Sequence, residues 1–220
     1  MPYSSVDCPG QLAAVVFVQG CSWSCGYCQN AHLRSFGETA EGRWETVEAQ
    51  LQRRRGLLDM VIFSGGEPLA QLGLQAAMEQ VRALGFKVGL HSAGASPRRL
   101  RAILPLCDWV GLDIKALEAD YPGLTGRAAS GAQAYACLDQ LLQSGRAYEV
   151  RTTWHPRLFS AERLLELAEQ LYQRGVRHFR LQRLQARACL DPSLHSWPPV
   201  PEDPQLWQRL GQIFPDFMAR

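Results

Sequence analysis

Six apolar runs of strand length recur along this chain, from Leu12 to Val18, Asp59 to Ser64, Phe86 to His91, Trp109 to Ile114, Tyr148 to Thr153 and His178 to Gln182. Most are continuous rather than alternating, the pattern of parallel strands covered on both faces. Between them Trp44 to Arg55, Leu72 to Leu84, Pro97 to Leu104, Ala132 to Gln143 and Ala161 to Arg174 carry apolar residues at helical spacing. Gly56, Gly85, Gly145 and Gly175 stand at C-cap positions, and Ser96 and Ser160 stand where helices begin. Strands alternating with helices imply an α/β fold with a parallel sheet and right-handed crossovers. Periodicity leaves two forms open, a doubly wound sheet and an incomplete barrel. Both place an active site at the C-terminal ends of the strands.

The residues that follow the strands are accordingly the informative ones. After the first strand comes Cys21-Ser-Trp-Ser-Cys25-Gly-Tyr-Cys28, and after the second Ser64-Gly-Gly-Glu-Pro68. The third ends in His91, the fourth in Asp113-Ile-Lys115, the fifth in Arg151-Thr-Thr-Trp-His155 and the sixth in Gln182-Arg183. Thiolates select iron-sulfur clusters, zinc or copper(I), and closely spaced cysteines commonly hold four-iron clusters. Three thiolates on a cuboidal cluster leave one iron open, as open catalytic zinc sites keep a position free. The competing reading is a structural zinc knuckle, with Cys8 or His32 as fourth ligand.

Composition narrows the class. The chain has 220 residues, 46% hydrophobic and 20% charged, with net charge +2. That suits one soluble α/β unit and recommends no nucleic-acid or other polyanionic partner. No apolar run approaches the ~18 residues of a membrane span, and the first ten residues lack a signal-peptide pattern. Seven cysteines, four of them scattered (Cys8, Cys107, Cys137, Cys189), fit a reducing cytoplasm better than a disulfide framework. Lys87 and Lys115 are the only lysines. Five prolines between Asp191 and Pro204 mark a compositional break. The expected organisation is therefore a barrel unit over 1–190, then an extended connection and a last helix near Gln205 to Ile213 within 191–220.

The cysteine motif with Tyr27 before its third cysteine, followed by Gly65-Gly-Glu-Pro68, resembles the radical S-adenosylmethionine (SAM) enzymes. The opening Ser5-Val-Asp-Cys-Pro-Gly10, the strand Val15-Val-Phe-Val-Gln-Gly20 and Asn30 resemble the subset that activates glycyl radical enzymes. Over nearly the whole chain, including Gly85-Phe-Lys-Val-Gly-Leu-His91, Asp108-Trp-Val-Gly-Leu-Asp113 and Tyr148-Glu-Val-Arg-Thr-Thr153, the sequence is similar to activating proteins of anaerobic ribonucleoside-triphosphate reductase. Two positions depart from the family: Gln29 stands where histidine is usual, and Cys8 where glycine is usual. No cysteine lies between Cys28 and Gly65, so the extra clusters of some relatives are absent.

The resemblance implies an incomplete (β/α)6 TIM-like barrel and a 4Fe-4S cluster on Cys21, Cys25 and Cys28. Its open iron would be chelated by the methionyl amino and carboxylate groups of SAM. Reductive cleavage of SAM would then give a radical that takes a hydrogen atom from a protein glycine. By the same resemblance Gly65, Gly66, Glu67 and Pro68 meet the methionyl amino group, Lys115 pairs with its carboxylate, and Asp113 accepts from the cofactor or orients Lys115. Arg151 and His91 lie nearby. A surface salt bridge is the alternative for Asp113 with Lys115, and a satisfied structural group for His91 and His155. The implied partners are the anaerobic reductase's catalytic subunit and an electron donor such as flavodoxin. Competing readings are an activase of the pyruvate formate-lyase type, a small-molecule radical SAM enzyme such as a deazaguanine synthase, and a zinc-binding module.

Overall fold

The computed structural model describes residues 3–4, 6–37 and 43–220, so Ser5 of the opening motif lies outside the described residues. One sheet holds eight strands: β1 (Tyr3–Ser4), β2 (Ala13–Val18), β3 (Met60–Gly65), β4 (Lys87–Ser92), β5 (Trp109–Asp113), β6 (Ala147–Trp154), β7 (Phe179–Arg183) and β8 (Met218–Ala219). Spatial order follows chain order throughout. β1 is antiparallel to β2, and every later neighbour pair is parallel. The helices are α1 (Trp44–Gln52), α2 (Leu74–Ala83), α3 (Pro97–Ile103), α4 (Tyr121–Thr125), α5 (Ser130–Gln143), α6 (Ala161–Gln173) and α7 (Pro204–Ile213).

This order decides between the two forms that periodicity left open. A doubly wound sheet reverses its strand order at a switch point, whereas sequential order winds one way and stacks the helices on one face. Val16, Phe63, Leu90, Leu112, Val150 and Leu181 accordingly share a buried cluster with helical Leu100, Leu138, Leu164 and Leu171. Their alternate neighbours Ala13, Val15, Met60, Ile62 and Trp109 form a separate small cluster with Cys8 on the other, concave face. The result is a partial TIM-like barrel that does not close.

All six expected strands and the expected helices are present, within one to three residues at most ends. The six-strand expectation needs one correction, because β8 adds a seventh parallel strand. Neither β1 nor β8 was legible in the sequence. Two residues are too few to show periodicity, and what holds each in place is the edge it pairs with. α7 forms in the tail, its Leu206, Leu210 and the following Phe214 buried. Phe214 stacks on Phe179, with ring centroids 4.9 Å apart.

Cys8 sits at the foot of this barrel, 3% exposed, beside the N-terminal ends of β2, β3 and β5. The cysteine loop leaves the other end of β2. Six residues of strand rise about 20 Å, which separates Cys8 from the loop and removes it as a fourth ligand.

Candidate active site

Backbone hydrogen bonds hold the cysteine loop on all sides. Gly20 N–H donates to Leu33 O at 2.7 Å, Cys21 N–H to Arg34 O at 2.9 Å and Ser24 N–H to Thr125 O at 2.8 Å. From the tail, Leu190 N–H reaches Cys28 O at 2.8 Å and Asp191 N–H reaches Gly26 O at 2.9 Å. Gln29, at the position of the usual histidine, donates to Gln185 O at 3.3 Å. Residues 184–197 thus clasp the loop, a role the sequence did not assign.

The glycines next to the loop have a definite reason. Gly65 has φ +116°, and a Cβ there would lie 2.4 Å from Val18 O; one on Gly66 would lie 2.5 Å from Gly20 O. Any side chain would push β3 away from the strand end that carries Cys21. Close packing of backbone on backbone therefore accounts for both glycines without a ligand. Glu67 is 1% exposed. Its carboxylate accepts from Ser92 Oγ (2.7 Å), Ala93 N–H (2.8 Å) and Leu69 N–H (2.9 Å), bracing the end of β3 against the end of β4. Pro68 opens the short turn behind it.

The polar rim expected from the sequence comes together on the concave face. Arg151 Nε lies 3.2 Å from Asp113 Oδ1, and Lys115 Nζ lies 3.5 Å from Asp113 Oδ2. The Lys115 side chain is 12% exposed, so a surface salt bridge does not describe it. Burial opposes its charge, but Tyr27, Asp113 and Cys25 outweigh burial and keep the ammonium protonated. Burial pushes the Cys21 thiol up to about 11 and the Cys25 thiol up as well, against the pull of a Trp23 N–H at Cys21 and of Lys115 at Cys25. Binding a metal displaces those thiol protons.

Two histidines divide. His155 is 1% exposed; its Nδ1 accepts from Arg157 N–H and its Nε2 therefore donates to Pro198 O at 3.0 Å, so it anchors the tail. His91 reaches Asp7 O through Nε2 at 3.1 Å, close to Asp113 and Arg151. Burial, with Arg151 and Arg220 adding to it, lowers its pKa to about 3, while the Asp7 carbonyl and Asp113 pull the other way. A depressed value means that the unfolded chain takes up a proton first, so stability falls as pH drops from about 6.5 toward 3. Between about pH 7.5 and 5 that contribution amounts to about 2 kcal/mol. Urea unfolding of His91→Asn should therefore lose about that much less stability over this interval than the wild type; equal losses would contradict it.

Glu149 and Arg180, buried on the same face, were missed. The available signal was period two along β6, where Glu149, Arg151 and Thr153 alternate with buried Val150 and Thr152.

The side chains fit a thiolate-bound group with a polar ligand beside it. Three free thiols share one loop, and one already receives a backbone N–H from Trp23 at 3.4 Å. Among the described residues Tyr27 Oη is buried without a hydrogen-bond partner, and Lys115 Nζ, 5.7 Å from the Tyr27 ring centre, makes one long hydrogen bond, to Asp113. Among the described residues no three His, Cys, Asp or Glu groups converge on a single-ion site. Single-ion coordination would draw thiolates to within about 4 Å of one another.

Comparison with known proteins gives the following. The sequence model of the Radical SAM superfamily matches residues 15–150. A protein of Methanocaldococcus jannaschii named as a glycyl-radical enzyme activating enzyme is 25% identical, with 96% of this chain and 88% of that one covered. A 7-carboxy-7-deazaguanine synthase of Thermococcus kodakarensis is 29% identical over 59% of this chain and 64% of its own length. Among solved structures, Streptococcus suis SuiB bound to its precursor peptide SuiA superposes with TM-score 0.70 at 14% identity, over 94% of this chain and 48% of SuiB.

Proposed function

This chain belongs to the radical SAM superfamily, whose enzymes use a 4Fe-4S cluster and SAM, and we propose that it is an activase that installs a glycyl radical on anaerobic ribonucleoside-triphosphate reductase. The observation that carries this reading is the open side of the barrel. β1 pairs only with Ala13 and Ala14 at the foot of β2, and β8 pairs only with Arg180 and Leu181 in β7. Arg220 carries the β8 ladder on to the end of β7, accepting from Arg183 N–H at 2.8 Å, whereas the upper edge of β2, next to the cysteine loop, is left without a strand neighbour among the described residues. Phe17 in upper β2 is 50% exposed there. On the other side a cavity of about 470 Å³ is lined by Arg183, Gln185, Arg187 and Trp197. A polypeptide loop can enter such a gap, and glycine offers no side chain to obstruct close approach.

Cluster and cofactor supply the electron transfer and the radical chemistry when bound. In the proposal Cys21, Cys25 and Cys28 hold the cluster. Lys115 and Asp113 receive the charged end of SAM, Arg151 and His91 support them from the barrel interior, and the 65–68 segment with the 184–197 clasp keeps the loop in register and water out. A flavodoxin-type donor would supply the electron. The likeness to the M. jannaschii protein over nearly both chains supports the activase reading over a small-molecule one, for which the synthase match covers just over half of this chain.

The test is anaerobic incubation with reductant, SAM and the reductase of the same cell, read by electron paramagnetic resonance. The expected result is a glycyl doublet that vanishes when the target glycine is alanine. SAM cleavage with a radical-free reductase, and activation of a pyruvate formate-lyase instead, would replace the named partner.

A further inference from the structure

The concave face carries more charge than a cofactor site needs. Glu149, Arg151 and Arg180 are 2%, 6% and 8% exposed. Glu149 Oε1 lies 3.9 Å from Arg151 Nε and accepts from Arg220 Nη2, while its Oε2 lies 3.7 Å from Arg180 Nε. Arg180 is in turn held by Asp216, through Nη2 to Oδ2 at 2.9 Å and Nη1 to the Asp216 carbonyl. A continuous chain of charge thus runs from Lys115 at the rim through Asp113, Arg151 and Glu149 to Arg180 and Asp216 at the foot, and to Arg220, whose backbone pairs with Leu181 and Arg183.

We infer that Glu149 is a positioning residue: from the foot of the barrel it holds Arg151 back from Asp113, which leaves Asp113 available to Lys115, and Arg180 and Arg220 hold Glu149 in place. The inference rests on the SAM contacts proposed above for Asp113 and Lys115. Arg151 lies in a slot that only glycine provides, since a Cβ on Gly111 would meet its Nη2 at 2.5 Å, and Nη2 donates to Gly111 O at 3.1 Å. Among the described residues its Nε makes no hydrogen bond, and neither does Glu149 Oε2. The guanidinium is therefore suspended between two carboxylates and saturates neither. Guanidinium prefers to take a carboxylate bidentately. Without the charge of Glu149, Arg151 would turn onto both oxygens of Asp113 and displace Lys115, whose contact there is already long at 3.5 Å. Asp113 pairs in register with Arg151, so Glu149 lies two residue steps below Asp113, about 7 Å along the strand, and Lys115 lies beyond the end of β5. It acts without touching the cofactor.

The experiment measures SAM binding to cluster-loaded protein by anaerobic calorimetry without reductant, together with melting temperature. Glu149→Gln should weaken SAM tenfold or more. Arg220→Gln, peripheral enough to leave the fold intact, should weaken it less, and Arg220→Lys should restore it. Asp139→Asn, which breaks a surface pair with Arg174, should change melting alone. Should Lys115→Ala bind weakly while Glu149→Gln and Arg220→Gln bind like wild type, the inference falls and the site stands. Normal binding by Lys115→Ala would remove the SAM contacts themselves, and this inference with them.

Discussion

Cys25→Ala is expected to abolish reconstitution of a four-iron cluster, whereas Cys8→Ala, Cys107→Ala, Cys137→Ala and Cys189→Ala retain it. Cys25 is 9% exposed at the centre of a loop whose backbone is tied to α4 and to the tail. The remaining thiols are committed elsewhere. Cys107 Sγ donates to Ile103 O and Cys137 Sγ to Gly94 O, both buried in the helical layer, and Cys8 lies at the far end of β2. Cys189 is the strictest control. It packs against the loop, its Sγ 3.5 Å from Tyr27 O, and is the one scattered thiol near enough to substitute. Iron and sulfide content with visible absorbance decides the matter, and loss of the cluster in the Cys8 or Cys189 variant would overturn the three-cysteine assignment.

Lys115→Ala should weaken SAM binding roughly thirtyfold. The ammonium is desolvated and its backbone N–H is fixed by Tyr121 Oη at 2.9 Å, so it presents an ordered charge to an incoming carboxylate. Leaving a desolvated carboxylate without its cation costs about 2 kcal/mol or more, which converts to roughly that factor. Asp113 keeps Arg151 as its own counter-ion in the variant, so the protein should fold and load its cluster normally. Unchanged affinity by calorimetry would remove Lys115 from the site.

Much of this was determined by the sequence alone, because the quantities involved are local. Strand and helix periods, capping serines, C-cap glycines and the spacing of three cysteines depend on residues a few positions apart, and so the six main strands, the helices and the rim residues that follow them were legible. The family resemblance rests on the same short stretches. Only the tertiary structure decided what depends on residues far apart in the chain. Strand order, which separates a partial barrel from a doubly wound sheet, has no local signature. Nor do β1 and β8, two-residue strands that exist because a neighbouring edge offers them hydrogen bonds. The place of Cys8 follows from the direction in which β2 runs, and the clasp on the cysteine loop from where residues 184–197 return. The packing reason for Gly65 and Gly66 and the charge chain from Lys115 to Arg220 belong with these, because curling the sheet is what turns alternate residues of separate strands toward one another.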